Sequence, residues 1–188
     1  GFYYSFIDWH HPDFTVARNH PLRPADLKDS AAYSRLNKGK DFSKYREYLF
    51  HQVRELLTHY GKIDILWLDF SYPGPYGKGR DDWHSKELLA MIRKLQPQIL
   101  VTTRCGGWGD FATPEQRIGK FQNDEPWETC MTIGTQWSWK PDDKIKSAPE
   151  VIRILAECVG GDGNLLLNVG PMPDGRIELR QVDVLKQV

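Results

Sequence analysis

KIDILWLDF, running from Lys62 to Phe70, decides the fold of this chain. Ile63, Ile65, Leu66 and Leu68 form a short, nearly continuous apolar run, the pattern of a parallel strand buried on both faces. The run ends on an acid, Asp69. Hydration opposes burying a carboxylate, so Asp69 is expected where the strand meets a cleft, which in α/β barrels is the carboxyl end that carries the chemistry. Side chains alternate along a strand, which puts Trp67 and Asp69 on one side. An aromatic wall beside a carboxylate is what a sugar-cleaving site requires: an apolar platform for the C–H face of the ring and a nucleophile for its anomeric carbon. A capping aspartate after a core strand fits the same spacing equally well.

On either side of this segment, strand and helix signals alternate. Phe2 to Phe6, Ile99 to Thr103, Trp127 to Ile133 and Leu165 to Val169 read as further strands. Between them Tyr45, Leu49, Val53, Leu56, Leu57 and Tyr60 recur at helical spacing, as do Leu88, Leu89, Ile92 and Leu95, and then Val151, Ile152, Leu155, Ala156 and Val159. Gly61 and Pro97 stop the first two helices; Ser147 with Glu150 gives the third a capping box, and Gly160-Gly161 ends it. A weaker amphipathic stretch begins near Ile177. Repeated strand, helix, strand units imply a parallel sheet, either open and doubly wound or part of a barrel. No Gly-rich phosphate loop follows the first strand, and functional-looking residues sit at the ends of several different strands, which favours the barrel. A (β/α)8 barrel takes about 250 residues. The expectation is therefore an α/β chain forming a partial TIM-like barrel, later strands only, as one partial domain over residues 1–188 entered midway through a strand. The segment from His10 to Lys40, rich in Pro, Asp and Arg, then makes a long βα excursion over the active face.

Composition narrows the ligand class. The 188 residues are 40% hydrophobic, enough for one sizeable core. Lys and Arg balance Asp and Glu at a formal charge of zero, so no cationic stripe points to nucleic acid or an anionic membrane, and a neutral ligand is easier to accommodate. No stretch approaches the roughly 18 apolar residues of a membrane span, and the start, Gly1-Phe2-Tyr3-Tyr4-Ser5, lacks the basic beginning of a signal peptide. Seven Trp and eight Tyr, several of them near strand ends or in Gly-rich loops, serve as core or as the lining of a carbohydrate site. Cys105, Cys130 and Cys158 are odd in number and widely spaced, which indicates neither a disulfide framework nor a zinc site. Asp8, His10, His11 and Asp13 invite a metal reading. Adjacent histidines rarely face one ion and no further ligand set has metal spacing, so no metal site is expected.

GFYYSFIDWHHPDF, KIDILWLDF, VTTR, GDFATPEQ, WETCMTIGTQWSW and NLLLNVGPMPDGRI follow one another in this order over nearly the whole chain. Together they resemble the α-L-fucosidases of glycoside hydrolase family 29. The resemblance implies a (β/α)8 barrel with a β-sandwich behind it, of which this chain holds neither the early barrel strands nor the sandwich. It implies a retaining exo-glycosidase that releases terminal α-L-fucose from fucosylated oligosaccharides or glycoconjugates, with no cofactor, in a periplasmic, secreted or lysosomal setting. By the same resemblance Asp69 is the nucleophile, Trp67 lies beside the sugar, and Arg104 and Tyr4 contact it. Trp9 and His10 belong to the active-site rim, a role that a solvated loop matches equally. Trp137, with Trp139, covers the pocket or packs within its own loop; Ser138-Trp139 replaces the family's Gly-Tyr after Trp137.

A retaining glycosidase needs a second carboxyl group about 5–5.5 Å from the nucleophile, which protonates the leaving oxygen and then activates water. Glu115, in the TPE of GDFATPEQ and close to the Gly106–Gly109 loop, is the first choice for this acid/base. Glu128, in WETC at the start of a strand, is the second. Glu115 also fits the first turn of a helix after Pro114. The family's His-His-Asp-Gly motif lies on earlier strands, and His10-His11, followed by Pro-Asp, is not that motif. The chain alone is thus expected to hold both candidate carboxylates but only part of the sugar grip, and little activity. Two other readings remain open: a non-catalytic carbohydrate-binding fragment, and a related barrel glycosidase acting on another neutral sugar.

Overall fold

In a computed structural model that describes residues 1–121 and 124–188, the chain separates into two compact units, Gly1–Asp110 and Phe111–Val188. In the first, the elements in order are β1 (Phe2–Ser5), α1 (Ser30–Leu36), α2 (Phe42–His59), β2 (Ile65–Asp69), α3 (Ser85–Leu95) and β3 (Leu100–Val101). The strands form a parallel sheet in the order β1-β2-β3, with Tyr3 opposite Trp67 and Ser5 opposite Asp69. Leu66 and Leu68 are fully buried against Leu49 and Val53 of α2 and Leu88 and Ile92 of α3. By strand alternation Trp67 and Asp69 take the other face. The KIDILWLDF reading therefore holds for both strand and sidedness.

Local chemistry explains the boundaries. Asp41 caps α2 through the Ser43 N–H, Tyr45, Leu49, Val53 and Leu57 recur on its buried face, and Gly61 follows the helix at φ +76°. Gln96, the residue before Pro97, joins three elements: its amide donates to the carbonyls of Leu57 and Gly61, and its Oε1 accepts the Ile63 N–H. Tyr45, buried under β1, donates to the Phe6 carbonyl at 2.8 Å.

Two expectations are modified. The ladder of β3 ends at Val101, although the run from Ile99 to Thr103 reads as a strand throughout; the Thr102 N–H still reaches the Leu66 carbonyl at 3.4 Å, and side chains add to the backbone bonds there. Asp110 Oδ2 accepts the Val101 N–H while Arg93 grips the same carboxylate, and Thr102 Oγ1 donates to the Leu68 carbonyl. The His10–Lys40 excursion contains a helix, α1, capped by the Asp29 carboxylate on the Ala32 N–H. The excursion is pinned to the loop after β2 by Lys78, whose ammonium donates to Thr15 Oγ1 and lies 4.0 Å from the Phe42 ring centroid.

In the second unit, β4 (Glu128–Thr132) and β5 (Asn164–Asn168) pair in parallel around α4 (Ala148–Gly160), and α5 (Leu179–Leu185) closes the chain. Trp127, Met131, Ile154 and Cys158 form its core. Gly163 is required beside Trp127, since a Cβ there would lie 2.2 Å from the indole. Ser147 does occupy the N-cap of α4, but its hydroxyl makes no capping bond; Pro149 in the first turn has no N–H to satisfy and its fixed φ suits the helix start. Pro173-Asp174-Gly175 forms the expected turn, with Gly175 at φ +84° and the Gly175 N–H on the Met172 carbonyl. No helix among the described residues is long and apolar enough to cross a membrane.

Two measurements test this packing. Trp83, 1% exposed and stacked on Phe6 at 5.1 Å, is expected to cost about 3–5 kcal/mol as Trp83→Ala in urea unfolding. Burial pushes Lys78 down to about 8 from 10.5, so between these values the unfolded state binds more protons and stability rises with pH. Lys78→Met is expected to flatten that rise in unfolding midpoints taken between pH 8 and 10.

Candidate active site

Asp69 sits at the carboxyl end of β2, 8% exposed, and both of its oxygens are engaged. Arg104 Nη1 donates to Oδ1 at 2.9 Å, and the Tyr3 hydroxyl donates to Oδ2 at 2.9 Å. The three groups come from three successive parts of the sheet: β1, β2 and the turn after β3. Trp67, two residues before Asp69, carries Tyr3 stacked at 5.9 Å between centroids and the Arg104 guanidinium 4.7 Å from its ring. Trp67 is consequently only 8% exposed, whereas Tyr3 is 57% exposed and presents the open aromatic surface of the group. Burial, and next the charge of Asp69, push the Tyr3 phenol well above its ordinary range, which keeps the hydroxyl protonated as a donor.

Tyr4, expected as a sugar contact, is on the opposite face of β1, where its hydroxyl donates to Gln52 Oε1 of α2 at 2.8 Å and its ring edges against Phe6. Tyr3 is the tyrosine beside the acid. Sequence reasoning missed it because the face depends on strand pairing: only once Tyr3 is aligned with Trp67 does the period of two put it on the Asp69 side.

The rim candidates are placed less tightly. Trp9 is 46% exposed with its edge toward His20, and His10 is an exposed residue whose N–H bonds the Asp8 carboxylate. His11 turns inward, 4.6 Å from the Tyr48 ring. Among the described residues no group of three or more His, Cys, Asp and Glu side chains is disposed to hold a metal ion.

In the second unit, Glu115 lies on an extended segment, not in a helix. Ala112, Pro114 and Gln116 exchange backbone hydrogen bonds with Pro126, Glu128 and Cys130, so this segment runs parallel to β4 as a further edge. Glu115 registers with Cys130, and Glu128 begins β4 two residues earlier. Glu115 is exposed and Glu128 half-buried. Parallel pairing in register puts Glu115, Glu128, Cys130 and Thr132 on one face, away from the Trp127–Met131 core. Trp139 is anchored by its Nε1 donating to Glu178 at 2.9 Å, while Trp137 stays 42% exposed. Asn168 Oδ1, at the end of β5, is buried with no hydrogen-bond partner among the described residues.

Comparison with known proteins gives a uniform result. The family model described as alpha-L-fucosidase matches residues 1–188. The chain is similar to alpha-L-fucosidase isoenzyme 1 from Paenibacillus thiaminolyticus, with a TM-score of 0.85 and 42% identity over 98% of this chain and 46% of that one. It is similar to a family 29 alpha-L-fucosidase from Bacteroides thetaiotaomicron, with a TM-score of 0.74 and 25% identity over 99% of this chain and 44% of the other. That structure is a covalent intermediate trapped with 2-fluoro-fucosyl fluoride in a glutamate-to-glutamine mutant. Human plasma alpha-L-fucosidase is 28% identical over all of this chain and 38% of its own length. The chain thus spans less than half the length of these relatives.

The Asp69 network makes a direct prediction for stability. Arg104→Met leaves a mostly buried carboxylate with one of its two partners and is expected to cost about 1–3 kcal/mol in urea unfolding. Adding Asp69→Asn is expected to recover part of that loss. Strict additivity of the two changes would show that the ion pair contributes nothing.

Proposed function

The chain belongs to the alpha-L-fucosidase family, and from that premise we propose that it carries the catalytic carboxylates of a retaining exo-hydrolase acting on terminal α-L-fucose of glycans and glycoconjugates. On this reading its strands are the later part of a (β/α)8 barrel whose earlier strands come from a longer protein. The observation that supports it most is Asp69: an acid at the carboxyl end of a buried parallel strand, held on both oxygens, with aromatic surface beside it.

The chemistry proceeds as a double displacement. An Asp69 oxygen attacks the anomeric carbon, the glycosidic bond breaks, and Glu115 gives its proton to the departing oxygen. The fucosyl–Asp69 ester is then opened by a water whose proton passes to Glu115, which releases fucose and restores both groups. The covalent intermediate trapped with 2-fluoro-fucosyl fluoride in a glutamate-to-glutamine mutant of the Bacteroides thetaiotaomicron relative supports this course of reaction. Arg104 and Tyr3 position the nucleophile. Tyr3 and Trp67 supply the platform for the apolar side of the sugar, and Trp9, His10 and Trp137 are rim contacts. Glu115 is preferred over Glu128 because it registers further toward the carboxyl end of β4, whereas Glu128 begins the strand. Being exposed, Glu115 also has the water access that the second half of the reaction needs.

Treating the complete enzyme with 2-fluoro-fucosyl fluoride and mapping the labelled peptide is expected to place the label on Asp69; label elsewhere overturns the assignment. Glu115→Gln is expected to lower turnover of fucosides with poor leaving groups by about 10²–10⁴-fold, with added azide restoring turnover of Glu115→Ala. Glu128→Gln is expected to fall short of that range, and the reverse order would exchange the two roles.

A further inference from the structure

Beyond the carboxyl ends of β2 and β3, within the first unit, lies a cavity of about 500 Å³. This is in the range of sites that hold a small organic ligand, about 300–1,000 Å³. Ser71, Arg80, Asp81, Asp82 and Arg104 line it, together with glycines of the adjoining loops. Arg104 is the side chain whose Nη1 holds Asp69, so one guanidinium borders both the candidate nucleophile and the cavity. We propose that this cavity is the subsite for the neutral saccharide unit to which the fucose is attached, and that Arg80 and Asp81 select that unit. The inference rests on the fucosidase reading above.

Charge and shape carry the choice of ligand. Two arginines and two aspartates are among the lining residues, so the lining combines strong donors and strong acceptors with balanced charge. That combination suits a ring of hydroxyls, each of which both donates and accepts, and gives an anionic sugar no advantage. Ser71 Oγ is buried with no hydrogen-bond partner among the described residues, a further polar group at the cavity wall. Next to it, the Arg80 guanidinium lies 5.7 Å from the ring of Trp108, which is 39% exposed and offers an aromatic surface to the C–H face of a sugar.

The walls are fixed before any ligand arrives. A Cβ on Gly106 would lie 2.3 Å from that of Arg80, so the two loops interlock where only glycine fits. Asp82 Oδ2 accepts the Gly79 N–H at 2.8 Å, which commits Asp82 to the loop and leaves Arg80 and Asp81 as the selecting pair. Trp83 Nε1 holds the Lys78 carbonyl, and Tyr76 stacks on Tyr33 at 4.1 Å, fastening the loop to the excursion. A preformed polar cavity loses little entropy on binding, which is what a recognition site needs.

The test compares two substrates on the complete enzyme. Fucosyl fluoride has no saccharide leaving group, whereas a fucosyl-N-acetylglucosamine disaccharide does. Arg80→Ala and Asp81→Asn are each expected to lower kcat/KM on the disaccharide by about tenfold or more, the loss of one charged hydrogen bond, while leaving fucosyl fluoride hydrolysis and the unfolding midpoint unchanged. Equal losses on both substrates, or no loss on either, overturn the subsite. If the unsubstituted enzyme turns over neither substrate, the fucosidase reading itself fails and the subsite falls with it.

Discussion

A carboxylate at the end of a buried strand must be compensated, and the pairing of Asp69 with Arg104 and Tyr3 is the interaction on which the rest of the first unit depends. Stripping water from an acid costs several kcal/mol unless cations and donors replace it. Here the replacements come from β1 and from the turn after β3, so the acid is satisfied only if all three strands pair in the observed register. A slip of one residue on β2 would turn Asp69 into the Leu49–Leu88 side of the sheet and Leu68 into the place between Arg104 and Tyr3. The hydrophobic pattern and the charge network thus specify the same alignment by independent means. That agreement allows a sheet with only two residues in β3 to be well defined.

The same geometry shows why some of this was legible in the sequence and some was not. KIDILWLDF, the heptad-like run from Tyr45 to Leu57 and the run from Val151 to Val159 carry period and burial in their own residues, so they could be read without knowing their neighbours. The choice between Tyr3 and Tyr4 could not, because adjacent tyrosines on a strand point to opposite faces and only the pairing with Trp67 tells which face carries Asp69. The helix at Ser30–Leu36 is short and lies among Pro, Asp and Arg, where its one clear marker, the Asp29 cap, is outweighed by turn-forming composition. The 111–116 segment failed for a different reason: Pro114 and the preceding glycines argue for a loop, yet its alternate residues find partners on β4, and Pro114, which cannot donate, contributes only its carbonyl to Cys130.

The loops beyond the strands are unusually committed for their length. Gln96, Asp110 and Lys78 each tie a loop to a helix, a strand or the excursion by side chain, not by sheet ladder. Such ties cost side-chain entropy at every point, and Lys78 adds the cost of a poorly hydrated ammonium. A fold that needed only stability would gain more from apolar contacts at these places. What the polar ties supply is position: they set the 71–82 and 103–107 loops, and with them the cavity wall, to within the tolerance of a hydrogen bond.

Under the proposed mechanism the two acids have unequal requirements, and their settings differ accordingly. A nucleophile must stay in one place and in one ionisation state through the first step, which favours a short strand end, a guanidinium on one oxygen and a neutral donor on the other. An acid/base must carry a proton at one step and lack it at the next, so it needs access to water as well as to the leaving oxygen. Asp69 is buried between Arg104 and Tyr3, while Glu115 is exposed on an edge segment that joins β4 through its backbone. The backbone bonds of Ala112, Pro114 and Gln116 hold the segment, so its position is set by the main chain. Glu128, half-buried, begins β4, whereas Glu115 registers further toward the carboxyl end of that strand, which is the physical ground for preferring Glu115.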